Sequence, residues 1–203
     1  LSYEQAATLP CAGVTAWNAL QEGACPLQKG AWVLVLGTGG VSILALQIAK
    51  AAGAKVVVTS SSDAKLDRAR ALGADAVVNY RDQPDWGRQV LKLTGAGANH
   101  VVEVGGQGTV NQSMTSLAVG GEIALIGVLS PQGDANLRQL MVKAGRLRGI
   151  FVGSSGMAKR LNAAVERHNI LPVVDKVFAL DEAKAAFDYH SSSDSFAKTV
   201  IAL

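Results

Sequence analysis

The sequence predicts an α/β fold built on a doubly wound, six-stranded parallel sheet. Three observations point there. Short β-branched runs alternate along the chain with longer helix-compatible stretches. The runs are almost continuously apolar, as strands buried on both faces are. The connections between them are short, which suits right-handed βαβ crossovers. In order, the candidate strands are Trp32–Leu36, 55–59, Ala76–Asn79, 100–104, 122–126 and 148–152. The helical stretches between them are 41–52, 63–72, Trp86–Thr94, 110–117 and 137–144. Gly53 and Gly73 sit where left-handed C-terminal caps belong. Ser62, Asp85 and Thr109 sit where a side chain can cap the first free amides of a helix. Beyond the sixth strand the pattern gives a helix at 157–168, a short run at 176–179, a helix at 181–189 and a last strand at 199–203.

Composition narrows the function classes. Of 203 residues, 49% are hydrophobic and 17% charged, so a packed core is easily supplied, and the low charge argues against disorder. The net charge of +3 is scattered, with no basic stripe and no interleaved aromatics, which argues against nucleic acid. No apolar run approaches the roughly 20 residues that cross a bilayer, so no membrane partner is expected. The two cysteines, Cys11 and Cys25, make no disulfide framework, and a reduced, cytoplasmic setting fits them best. The N-terminal Leu1-Ser2-Tyr3 has neither an initiator Met nor a signal-peptide pattern and reads as the middle of a longer protein.

The chemistry is concentrated where the first strand ends. Val33-Leu34-Val35-Leu36 runs into Gly37-Thr38-Gly39-Gly40-Val41-Ser42, and an apolar helix follows. Gly37 permits the tight turn, and Gly39 lets an anion approach bare backbone. Free amides near Gly40 and Val41 then face that anion, aided by the helix dipole. Ser42 stands where the pattern has a third glycine, and its small side chain still allows close helix–strand packing. A strand, this turn and a helix inside one crossover point to a dinucleotide's diphosphate rather than to an ordinary turn.

The second strand suggests which dinucleotide. NAD-binding sites place an acid near its tip to hold the ribose 2′-hydroxyl. Here Thr59 leads into Ser60-Ser61-Ser62 with no carboxylate at the tip. Hydroxyls and amides can donate to a 2′-phosphate, and Lys65, one helical turn on, can supply charge. NADP(H) is therefore favoured over NAD(H). The plainer reading of these residues is a solvated loop and helix face.

These residues carry a resemblance. Thr8-Leu9-Pro10-Cys11-Ala12-Gly13, the Gly37 turn, Ala51-Ala52-Gly53-Ala54, Leu72-Gly73-Ala74-Asp75, Val102-Glu103-Val104-Gly105-Gly106, Leu125-Ile126-Gly127 and Phe196-Ala197-Lys198-Thr199 occur together across the chain. The set resembles the cofactor-binding part of the medium-chain dehydrogenase/reductase superfamily, the zinc-type alcohol dehydrogenases and quinone oxidoreductases. The resemblance implies a Rossmann domain at 28–168. It makes 1–27 a hinge from a GroES-like catalytic domain that this sequence does not include, and 169–203 a return segment toward it. It implies that Thr15 lies near the nicotinamide and phosphates, and that Ser60, Ser61, Lys65 and Tyr80 surround the 2′-phosphate. Val104 and Gly105 would approach the adenosine side. Gly127, Val128, Val152 and Gly153 would flank the nicotinamide, and Lys198 would contact the diphosphate. For Tyr80 and Lys198, ordinary strand-end packing and surface charge are the alternatives.

The same resemblance makes Cys11 a match to a catalytic zinc ligand. One thiolate cannot hold zinc, so a metal would need ligands from the catalytic domain, and Cys11 can equally be a small buried hydrophobe. The implied activity is hydride transfer between nicotinamide and an alcohol, aldehyde, quinone or enone. No proton donor can be named, and the chain alone is expected to bind cofactor but turn over little. A non-catalytic dinucleotide-binding or redox-sensing module is the alternative. The relatives pair through their sixth strand, which implies a homodimer through the edge strand from Arg148 to Val152.

Overall fold

A computed structural model describes residues 1–128 and 132–203. Its main sheet holds six parallel strands: β1 (Trp32–Leu36), β2 (Lys55–Ser60), β3 (Ala76–Asn79), β4 (Ala98–Glu103), β5 (Leu117–Leu125) and β6 (Arg146–Gly149). Their order is β3-β2-β1-β4-β5-β6, so the chain reverses direction across the sheet between β1 and β4. All five pairings are parallel.

Each β1 side chain chooses a face by alternation. Val33 and Val35 point to one core with α3 (Gly40–Ala51), α4 (Asp63–Ala71) and α2 (Val14–Gln21). Leu34 and Leu36 point to a second core with α5 (Trp86–Thr94) and α6 (Val110–Ser116). The first core is the larger because the N-terminal segment joins it. Here α1 (Tyr3–Ala7) leads into a π-helical turn, Leu9–Gly13, and then α2, and Leu9, Ala12, Val14, Ala16, Ala19 and Leu20 are all buried. Between β5 and β6 lies α7 (Arg138–Val142), and after β6 α8 (Ser155–His168) closes the same face as α2 with Leu161 and Val165.

Strand and helix positions follow the sequence pattern, with differences that have physical causes. β6 lies two residues earlier than the apolar signal, at Arg146–Gly149 rather than 148–152. One of its arginines finds a buried partner: Arg148 pairs with Glu122 on β5 at 2.9 Å. The apolar residues beyond it leave the ladder, with Phe151 96% exposed and Val152 in a left-handed conformation at φ +51°. β5 starts at Leu117 rather than at 122, because Leu117 already pairs with Ala98. Gly53 and Gly73 take positive φ just past α3 and α4 as expected. Ser62, Asp85 and Thr109 occupy N-cap positions, but none of their side chains caps a helix. Asp85 pairs with Arg88, and the Thr109 hydroxyl turns away to Glu103. The helices that do carry side-chain caps are α1, from Ser2, and α8, from Ser154.

Glu103 ends β4 fully buried. Its Oε1 accepts from the Gly105 amide at 2.8 Å, the Gly106 amide at 3.0 Å and the Thr109 hydroxyl at 2.6 Å. The Ser113 hydroxyl donates to its other oxygen. These four donors are uncharged, so the carboxylate is held by hydrogen bonds alone and fixes the loop from β4 into α6.

The C-terminal residues form a separate parallel pair, β7 (Val174–Ala179) and β8 (Lys198–Ala202), with a short α9 (Ala183–Ser191) between them. Thr38 and Arg68 help to fasten this pair to the main body. The Ala197 amide donates to the Thr38 carbonyl at 2.8 Å. Asp175, nearly buried, accepts from Arg68 on α4 at 2.8 Å, from the Tyr189 hydroxyl at 2.7 Å and from the Phe196 amide at 2.8 Å. Arg68 also lies 3.9 Å over the Phe196 ring.

Two predictions follow from these buried carboxylates. Glu103→Ala should remove about 3 kcal/mol of stability, since several buried donors lose their acceptor. Glu103→Gln, which keeps one acceptor oxygen, should lose about 1–2 kcal/mol. Urea titration checks both, and a loss under about 0.5 kcal/mol for the alanine variant would contradict the assignment. For Asp175, burial alone would raise the carboxyl pKa, but Tyr189, the Phe196 amide and Arg68 together bring it below its ordinary value. A folded-state pKa below the unfolded one stabilises above the unfolded value of about 3.9, and that stability is lost as pH falls further. Asp175→Asn should therefore flatten the loss of stability measured below about pH 4.

Candidate functional site

The switch point between β1 and β4 opens at the carboxyl ends of the strands, where ligands of such sheets sit. The chain arrives there along β1 and must turn at once into α3. Gly37 makes the turn at φ +71°, a conformation that costs a residue with a side chain about 1–2 kcal/mol. Gly39 is the N-cap of α3 and has no side chain to offer its amides. A Cβ built at Gly37 or Gly39 would meet no atom within 4 Å, so both project into open space. Ser42, buried in the first turn of α3, donates to the Leu36 carbonyl at 2.6 Å and ties the helix start to the strand end. The first amides of α3 thus carry no side-chain cap, and the positive end of a 12-residue helix stands behind them. This geometry fits a diphosphate.

The structure brings several other predicted residues to that edge. The stem of Lys198 crosses the first turn of α3, where a Cβ on Gly40 would lie 2.4 Å from its Cδ. Gly39 and Ala197 form an isolated parallel bridge beside it. At the tip of β2, Ser60 is buried and its Oγ accepts from the Ser62 amide at 3.3 Å, while Ser61 is half-buried. Tyr80, 41% exposed, follows β3 and donates its amide to the Ser60 carbonyl at 3.0 Å. Lys65 points toward the C-terminal segment, and its ammonium donates to the Ser195 carbonyl at 2.7 Å. Asp63, the nearest acid in sequence, accepts from Asn79 at 2.9 Å.

Further along the edge, Val104 and Gly105 form the loop that Glu103 fixes. Gly127 donates its amide to the Glu103 carbonyl at 3.0 Å. A Cβ there would lie 2.0 Å from the Val104 carbonyl carbon, so only glycine permits this approach. Val128 is 85% exposed at the same rim. Val152 and Gly153 leave β6 toward α8, held by a bond from Asn18 to the Val152 carbonyl at 2.8 Å. Thr15 is buried in the first turn of α2, and its hydroxyl donates to the Cys11 carbonyl at 2.7 Å.

Cys11 departs from one of its two sequence readings. It is exposed rather than buried, because the π-helical turn points Leu9, Ala12 and Gly13 inward. Among the described residues no three His, Cys, Asp or Glu side chains gather as metal ligands, so Cys11 has no companion donors there. The residues present do not fit a zinc ion.

Two functional-edge features escaped the sequence reading. One is Glu103, which the β4 motif contained without a role. The other is the buried Glu122, bound by Arg148 across the neighbouring strand and opposite His100 in register. Burial first, and Arg148 after it, hold the His100 imidazole below its usual pKa against the pull of Glu122, so the charge partner of Glu122 is Arg148. A cleft of about 710 Å³ lies away from the glycine turn. It runs between the N-terminal segment and α8, with Leu9, Val14, Gly153, Ala158 and Ile170 among its walls. The backbone geometry of the β1–α3 turn outweighs size here, since a dinucleotide's bridge needs uncapped amides more than enclosure.

Comparison with known proteins agrees with this architecture. The zinc-binding dehydrogenase family model matches residues 40–167. A zinc-type alcohol dehydrogenase-like protein of Schizosaccharomyces pombe is 48% identical over 208 residues, covering 99% of this chain and 60% of that protein. A crystal structure of an NAD-dependent alcohol dehydrogenase superposes with a TM-score of 0.90 at 34% identity, covering 100% of this chain and 60% of the other. A mycobacterial protein solved with NADPH superposes at 0.87 with 27% identity, covering 100% of this chain and 66% of the other. This chain thus spans about three-fifths of such relatives. With its Rossmann-like sheet and its glycine turn, it belongs to the zinc-binding dehydrogenase family, among the alcohol dehydrogenase-like medium-chain dehydrogenases.

Proposed function

We propose that the chain is the cofactor-binding part of an NADP(H)-preferring oxidoreductase acting on an alcohol or aldehyde, or on a quinone or enone. The observation that carries this reading is the uncapped start of α3 beyond Gly37 and Gly39. There the amides of Gly40 and Val41 would hold the diphosphate, with Thr38 in the turn and the Lys198 ammonium beside it. Val104 and Gly105 would meet the adenosine side, and Gly127, Val128, Val152 and Gly153 the nicotinamide, with Thr15 close by. When bound, the nicotinamide supplies or accepts the hydride. The chain's own contribution is to orient that cofactor through backbone groups fixed in advance.

The preference for NADP(H) rests on the β2 tip rather than on kinship, since the solved relatives include an NAD-dependent enzyme and a protein holding NADPH. Three hydroxyls, Ser60, Ser61 and Ser62, stand there with Tyr80 beside them. The hydrogen-bond acceptor of Lys65 is a neutral carbonyl, so that contact leaves its positive charge uncompensated and able to attract a 2′-phosphate. The whole protein would work as a homodimer joined through the β6 edge, where Leu147 and Phe151 are exposed. This chain alone would bind cofactor without turnover.

Fluorescence titration should show tighter binding of NADPH than of NADH. Lys65→Ala should narrow that gap about tenfold, or about 1.4 kcal/mol. Equal affinities in the unaltered chain would overturn the preference. Gly37→Val should weaken binding of both about tenfold or more, since the turn cannot then form without strain.

A further inference from the structure

Val152 poses a physical question. A β-branched residue at φ +51° is strained, and such strain persists only where neighbours over-determine it. The ladder of β6 does not do this, because it stops at Gly149 and its last bond is from the Ile150 amide to the Leu125 carbonyl.

What holds Val152 is a relay of side chains. The Asn18 amide nitrogen, on α2, donates to the Val152 carbonyl at 2.8 Å. The direction of that amide is forced. Its oxygen accepts from Arg148 at 2.8 Å, and a guanidinium offers only donors. The oxygen must therefore face Arg148, which leaves the NH₂ for Val152. Arg148 is fixed in turn by Glu122 at 2.9 Å and by the Asn18 carbonyl at 2.8 Å. Glu122 is 2% exposed and packed under Gly23, where a Cβ would lie 2.2 Å from its Oε1. A half-buried arginine paired with a buried glutamate thus sets the orientation of one peptide at the carboxyl edge of the sheet. Gly153 then fits against Val14 and Met157, each 2.7 Å from where its Cβ would stand.

A dinucleotide crossing the switch point has one end at the β2 tip and the other beyond β4, β5 and β6. We propose that Asn18 is a positioning residue for the nicotinamide ring, acting through the Val152 carbonyl, with Arg148 and Glu122 aiming its amide. This rests on the dinucleotide reading above. Without the Asn18 donor the Val152–Gly153 peptide is free to rotate and relieve its strain. The ring then meets a wall that must be ordered on binding, and affinity falls by that ordering cost. Contacts at the diphosphate and the 2′-phosphate lie elsewhere and are untouched.

The test compares two ligands on the same 203-residue chain. NADPH carries the nicotinamide; 2′-phospho-ADP-ribose carries everything else. Asn18→Asp keeps the shape and the acceptor for Arg148 but removes the N–H donor. It should weaken NADPH about tenfold while leaving 2′-phospho-ADP-ribose within about twofold. Asn18→Ala should give the same split, and it carries the test if the aspartate variant does not fold. Equal loss for both ligands, or no loss for either, overturns the positioning role and leaves Asn18 a packing residue. If the unaltered chain binds neither ligand, the dinucleotide reading itself fails and this inference falls with it.

Discussion

One uncapped helix end organises the molecule. α3 starts at Gly40 without a side chain on its first amides, and those amides carry the positive end of the helix dipole. Burying such an end without partners would be costly, and the chain around it leaves it no side-chain cap. Gly37 makes that helix start possible by turning the chain in a left-handed conformation, and Ser42 locks the geometry by reaching back to Leu36. The same turn anchors the C-terminal strands, since the Ala197 amide binds the Thr38 carbonyl. The anion site and the attachment of β7 and β8 therefore share one piece of backbone.

Around it, buried acids do the shaping. Glu103 at the end of β4 gathers two amides and two hydroxyls into a fixed loop, and Gly127 packs against that loop at backbone distance. Glu122 fixes Arg148 one strand away. Both carboxylates are buried, where an unpaired charge is costly; Glu103 is bonded at both oxygens and Glu122 is paired with Arg148. The result is a row of peptide groups along the sheet edge that is rigid before any ligand arrives, which is what favours tight binding of an extended ligand.

Much of this was legible in the sequence, for identifiable reasons. Strands buried on both faces are uniformly apolar, so β1 appears in the sequence with its observed ends. The glycine turn was legible because Gly37 has a positive φ that side chains avoid. β6 was displaced because Arg146 and Arg148 look like surface residues until Gly120 and Glu122 are seen to receive them. Thr109 was legible as a cap position but not as a ligand of Glu103, because its hydroxyl obeys a tertiary contact. Lys65 was legible as a cation near the β2 tip; that it reaches Ser195, 130 residues away, was not. Asn18 gave no signal at all, since its role depends on Val152, 134 residues away.

The most direct measurement is a crystal structure of the chain grown with NADPH. The account predicts diphosphate oxygens about 3 Å from the amides of Gly40 and Val41, with the nicotinamide against Val152. Diphosphate density elsewhere, or a β1–α3 turn closed over its own amides, would contradict it.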